Sequence, residues 1–141
     1  MTVRAAGSSR TVAAGLAWAL ALLLVTTGVW HFASPHGFES IVPRFLGSPA
    51  IWVAVSGVVE LACAAGLAFR ATRRLAGWAC VVLFVVVFPA NIKMAVDALN
   101  GHGSVLISLL RLPLQIPLVL WALYIARHAP ARSTLLAPTT S

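Results

Sequence analysis

Charge is what this sequence has least of. Of 141 residues only 9% are Asp, Glu, Lys or Arg, and just three are acidic. A soluble domain carries roughly 25% charged residues, so a water-covered globule is excluded for most of this chain. The ten basic residues give a formal charge of +7. They are scattered between apolar runs and form no basic stripe, so no nucleic-acid partner is expected. Cysteine is scarce too. Cys63 and Cys80 both lie inside apolar runs, which gives neither a secreted disulfide framework nor zinc-ligand spacing. No His, Asp and Glu arrangement has metal-ligand spacing, and no metal is expected.

What the chain has instead is long apolar runs, with 60% hydrophobic residues and a mean hydropathy of +0.95. Four runs reach the roughly 20 residues that a helix needs to cross a bilayer. They cover residues 11–32, 50–69, 75–96 and 104–126. The expected fold is therefore all-α, a four-transmembrane-helix bundle in a single domain. Residues 1–10 read as an N-terminal segment, 11–127 as the membrane domain and 128–141 as a disordered tail. The first run is longer than the apolar core of a secretory signal, and Trp30, His31 and Phe32 make a poor cleavage region.

Basic residues near helix ends set the direction. Arg4, Arg10, Arg70, Arg73, Arg74, Arg127 and Arg132 fall on one side. Arg44 and Lys93 on the other side are offset by Glu39 and Asp97. Both termini are thus expected in the cytoplasm, with the protein in a bacterial plasma membrane. The first outer loop, "ASPHGFESIVPRFLGSP", mixes Pro, Gly and aromatics and reads as an ordered cap on the bundle.

The fourth run carries Arg111, Gln115, Pro113 and Pro117 in the stretch "LRLPLQIPLVLW". An ionised group within a span is costly and normally faces the bundle interior. Residues three or four apart share a helix face. By that rule Ser104, Ser108, Arg111 and Gln115 align, as do Ser56, Glu60 and Cys63, and Thr27 with His31. At about 1.5 Å per residue, Arg111 lies ~10 Å and Glu60 ~15 Å below the outer helix ends. The expectation is a polar pocket in the outer half lined by His31, Glu60, Asn91, Arg111 and Gln115, with Arg111 neutralised by Glu60. Snorkelling of Arg111 to the headgroups is the alternative. The same cluster read as architecture only fixes helix packing. Cys63 and Cys80 stand at similar distances from the "RATRR" connection and could touch. Apolar burial makes a thiol inert, so core packing is expected over a redox pair.

The segments "GVWHFASPHGFESIVPRFL", "VSGVVELACAAGLAF", "VFPANIKMA" and "LRLPLQIPLVLW" together resemble the signature segments of the DoxX-like family of small four-helix membrane proteins. The likeness runs from about residue 15 to 124. It implies a membrane or accessory subunit of a quinone-linked redox system, with another membrane or redox protein as partner. The chain has no flavin, haem or iron–sulfur motif, so any enzymatic part is that of an oxidoreductase subunit without its own redox cofactor. A quinone-like head group is the expected ligand, held by Arg111, Gln115 and Asn91 with Glu60 accepting protons. A small transporter or lipid-handling protein, and an assembly partner of another membrane protein, are the other classes. Self-association is left open.

Overall fold

The computed structural model describes residues 2–130. Five α-helices follow in order: α1 (Thr2–Ala33), α2 (Pro35–Glu39), α3 (Pro49–Ala68), α4 (Arg73–Leu99) and α5 (Val105–His128). A 3₁₀ turn, Arg44–Leu46, lies between α2 and α3. Four of the helices are long and apolar enough to cross a membrane: α1 from Thr11 onward, α3, α4 and α5. No strand occurs among the described residues. α1 starts well before the apolar run that predicted it, so residues 2–10 are helical and continuous with the first span. Most of the predicted tail, residues 131–141, lies outside the described residues, and the helix ahead of it continues through His128.

Local chemistry sets the helix ends. Pro49 opens α3 at a position where its missing N–H costs nothing. The α3–α4 turn is held by side chains that take up the last carbonyls of α3. Thr72 Oγ1 donates to the Gly66 carbonyl at 2.8 Å. Arg73 Nε donates to Leu67 at 2.8 Å and its Nη2 to Ala68 at 3.0 Å. Arg73 is thus buried without being idle, because it supplies donors to acceptors that the helix end leaves unpaired. At α5, the Ser104 hydroxyl accepts from the Ile107 N–H. Gly101 and Gly103 in the preceding loop take φ values of 90° and 104°, a region open to glycine.

The four long helices form a ring in which α1 packs on α3, α3 on α4, α4 on α5 and α5 on α1. α3 and α5 are diagonal, as are α1 and α4. Glycines set the contact points, since a small residue lets backbones approach. A Cβ at Gly77 would stand 2.8 Å from the Ala126 nitrogen, and one at Gly66 would stand 2.8 Å from the Ala76 Cβ. Both contacts lie toward the α3–α4 turn. There the core is filled by Ala17, Leu20, Leu24, Cys63, Leu67, Cys80, Leu83, Ala122 and Ile125. Trp121 Nε1 joins α5 to α1 through the Leu16 carbonyl at 3.1 Å.

At the opposite end, a strap formed by α2 and the residues up to Ser48 lies over the ring. His31 stacks on Phe38 with ring centroids 4.0 Å apart. Lys93 Nζ donates to the Ser40 carbonyl at 3.2 Å, and Trp52 Nε1 to the Leu46 carbonyl at 2.8 Å. Lys93 therefore fastens the strap to α4 while also pairing with Asp97.

Candidate functional site

The five polar residues singled out in the sequence make no contact with one another as a single set among the described residues. They separate into three groups, and the physical cause of the separation is helix adjacency.

The first group joins α1 and α3. Gly28 and Gly57 bring these helices together: a Cβ at Gly28 would lie 3.2 Å from the Gly57 carbonyl oxygen, and one at Gly57 would lie 3.1 Å from the His31 Cβ. Glu60 is one turn from Gly57 on the same face. The close crossing carries it to Thr27, whose Oγ1 donates to Glu60 Oε2. His31 Nδ1 lies 3.9 Å from the same oxygen and 2.8 Å from the Thr27 carbonyl. Glu60 and His31 are each only 9% exposed. The carboxyl group is thus held by a neighbour on α1. Thr27 was aligned with His31 in the sequence, but nothing in its periodicity marked it as the partner of Glu60.

The second group joins α4 and α5. Asn91 Nδ2 donates to Gln115 Oε1 at 3.1 Å, and Gln115 Nε2 donates to the Phe84 carbonyl. Phe84 immediately precedes Val85, whose carbonyl loses its intrahelical donor to Pro89. Gln115 is 7% exposed, and both ends of its amide are used.

Arg111 forms the third group alone. The expected ion pair with Glu60 is not present. Glu60 lies on α3 and Arg111 on the diagonal helix α5, and Glu60 already has Thr27 and His31 as neighbours. Among the described residues the guanidinium's hydrogen-bond contact is to the Met94 sulfur, 3.8 Å from Nη1. Among the described residues no carboxylate is within ion-pair distance of Arg111; Glu39 faces His36 at 3.5 Å, and Asp97 is taken by Lys93.

The position of Arg111 on its helix is informative. It falls on the stripe that includes Ser108, Gln115 and Ala122, all of them buried. Arg111 on that stripe is exposed. Arg111 thus shares the phase of the buried stripe of α5 but is left uncovered by the other helices. On α4, Val87, Asn91 and Met94 are partly covered, whereas Ala76, Cys80 and Leu83 on one side of them and Ala95 and Ala98 on the other are buried.

A cleft of about 920 Å³ lies beneath the strap. Its walls include Glu39, Ile41 and Val42 from the strap, Lys93, Met94 and Asp97 from α4, and Ser104, Ile107 and Ser108 from α5. Met94 belongs to the wall and also touches Arg111, which is not itself part of the lining, so the guanidinium is linked to the cleft through Met94. Ser108 is 4% exposed, and its hydroxyl has no hydrogen-bond partner among the described residues. The cleft has the size of small-molecule sites, which run to about 1,000 Å³. Its ionic groups, counted with Arg111, are two carboxylates, one ammonium and one guanidinium, which cancel. The sequence pointed to polar residues but not to this cleft, because Glu39, Lys93 and Asp97 lie in or beside a connection whose path over the bundle has no period to read. No group of three or more potential metal ligands occurs among the described residues.

Residues 20–126 match a family described as a domain of unknown function, DUF8561. The match covers well over half of the chain. The chain belongs to this family. Comparison with curated proteins and with solved structures finds no match for it.

Proposed function

We propose that this DUF8561 protein is an accessory membrane subunit of a quinone-linked redox system, holding a quinone-type head group in the cleft beneath its strap. Both termini lie on the cytoplasmic side of a bacterial plasma membrane, and the strap faces outward, as the distribution of arginines favours. One observation carries the reading: Arg111 lies on the buried stripe of α5 yet stays exposed and without a carboxylate. An arginine within a span is costly and marks a binding function when no partner is built in. A quinone carbonyl is a neutral acceptor, and Arg111 and the Ser108 hydroxyl are donors on one face of α5. The zero sum of charge around the cleft suits a neutral head better than a phosphate, which Glu39 and Asp97 would repel. The isoprenoid tail would leave between apolar helix faces.

The resemblance of the sequence to the DoxX-like family supports the accessory role, with a second membrane or redox protein supplying the cofactor chemistry. Asn91, Gln115 and Glu60 have a different place in this reading from the one expected of them. They fasten helix pairs, and the ligand contacts fall to Arg111 and Ser108.

The test is extraction from native membranes in mild detergent, with identification of the small lipophilic molecules and proteins that co-purify. A quinone at about one per chain, together with a stoichiometric protein partner, is the expected result. A preparation that carries no quinone and also fails to bind saturating decylubiquinone would rule the reading out.

A further inference from the structure

Charge is divided unevenly between the two ends of the bundle. Of the three acidic residues in the chain, Glu39 and Asp97 line the cleft at the strap end. Glu60 lies ~12 Å back from the other end of α3, at about 1.5 Å per residue from Ala68. The end formed by the α3–α4 turn and the close of α5 thus has no acidic side chain among the described residues, yet it exposes Arg70, Arg74 and Arg127. None of these three makes an ion pair among the described residues. Arg73 beside them is already spent on the Leu67 and Ala68 carbonyls.

Packing brings two of the exposed arginines to one seam. A Cβ at Gly77 would stand 2.8 Å from the Ala126 nitrogen, so α4 and α5 are almost in backbone contact there. Arg74 precedes Gly77 by three residues, and Arg127 follows Ala126 directly. Helical rotation turns Arg74 about 60° and Arg127 about 100° from the line joining the two axes, both to the outer side, since buried Cys80 and Ala122 take the inner side. Arg74 also sits in the first turn of α4, which has no acidic residue and whose positive end disfavours a cation. An anion in the seam would offset both charges. Further along the spans the same groove is floored by the half-buried Val81 and Leu123 and edged by the exposed Trp78, Val85, Ile116 and Leu120. A free phosphate would use the arginines alone, whereas a lipid would also cover this apolar surface.

We infer that the outer seam between α4 and α5 is a binding site for an anionic phospholipid of the adjoining leaflet, its phosphodiester held by Arg74 and Arg127. The planar guanidinium fork matches two phosphate oxygens at once. Basic pockets between membrane helices take phospholipid head groups by this chemistry. Arg70, in the turn ahead of α4, adds positive charge without a carboxylate to cancel it. An acyl chain lies along the groove, over Val81 and Leu123. A zwitterionic lipid offers the same phosphate but brings a cation of its own to a cluster that has no acceptor for it. The site is at the opposite end of the bundle from the strap and its cleft, and it shares no residue with them.

The test is native mass spectrometry of the full-length protein, delipidated in detergent and titrated with dioleoyl phosphatidylglycerol or dioleoyl phosphatidylcholine. The first phosphatidylglycerol is expected to bind at least about tenfold more tightly than the first phosphatidylcholine, as two arginines near a head group allow. Arg74→Gln combined with Arg127→Gln, both at exposed positions, should erase that preference. Arg4→Gln combined with Arg10→Gln removes the same formal charge and should leave the preference close to that of the wild type. A large excess of inorganic phosphate should not displace the lipid. Equal affinity of the wild type for the two lipids overturns the inference. So do equal losses from the two pairs of substitutions, which would mean diffuse attraction, and displacement by inorganic phosphate, which would mean a site for the free anion. None of these results touches the cleft, where quinone binding is read separately by co-purification and titration.

Discussion

The Arg111 guanidinium rests 3.8 Å from the Met94 sulfur, at similar depth on the neighbouring helix. A thioether is a weak acceptor and cannot neutralise a cation. The arginine is therefore positioned by α5 and α4 but left with donors to spare. In a segment apolar enough to cross a bilayer, that is a costly arrangement. It makes sense where something outside the chain supplies the missing acceptor.

The tightest backbone contact between α4 and α5 yields a stability prediction. A methyl group at Gly77 would meet the nitrogen and Cα of Ala126, which cannot rotate away. Gly77→Ala should cost about 1–3 kcal/mol through overpacking, read as a lower unfolding midpoint in a detergent titration. Gly15, with open space where its Cβ would be, is the control. Gly15→Ala should leave the midpoint unchanged or raise it slightly.

The Asn91–Gln115 hydrogen bond is expected to contribute little on its own. Interhelical side-chain bonds in membranes average about 0.6 kcal/mol. A double-mutant cycle with Asn91→Leu and Gln115→Leu should give a coupling energy of that order. Gln115→Leu should cost more than Asn91→Leu, because it also withdraws the donor from the Phe84 carbonyl.

Glu60 should behave differently when truncated and when neutralised. Glu60→Ala removes the hydrogen bond that crosses from α1 to α3, while Thr27 Oγ1 keeps the Leu23 carbonyl at 3.1 Å, so the loss should be about 0.5–1.5 kcal/mol. Glu60→Gln keeps an oxygen for Thr27 and should retain most of that stability. Comparing the two unfolding midpoints checks the assignment. Equal losses would mean that charge, and not the hydrogen bond to Thr27, holds α1 to α3.

Much of the fold was readable beforehand, and the reasons differ from element to element. The four spans follow from apolar length alone. The helical period also placed Ser108, Arg111 and Gln115 on one face, which is where they are. A period gives the phase of one helix but not which helix lies next to it. For that reason the partner of Glu60 was misjudged: the ring puts α1 beside α3 and sets α5 diagonally opposite. The deciding signal was present in Gly28 and Gly57, each beside or one turn from a member of the Thr27–Glu60 pair, since only glycine there permits so close a crossing. The cleft had no such signal. It arises from where the strap lies against α4 and the start of α5.

The most direct test of the account is equilibrium binding of decylubiquinone to purified wild type, Arg111→Leu and Arg111→Lys, each first shown to unfold at the same detergent midpoint. Exposed as it is, the Arg111 side chain holds no packing contact whose loss should unfold the bundle. The account predicts saturable wild-type binding, at least about a tenfold weaker Kd for Arg111→Leu, the cost of about 1.4 kcal/mol in lost hydrogen bonding, and an intermediate value for Arg111→Lys. Identical affinity in all three proteins would contradict it.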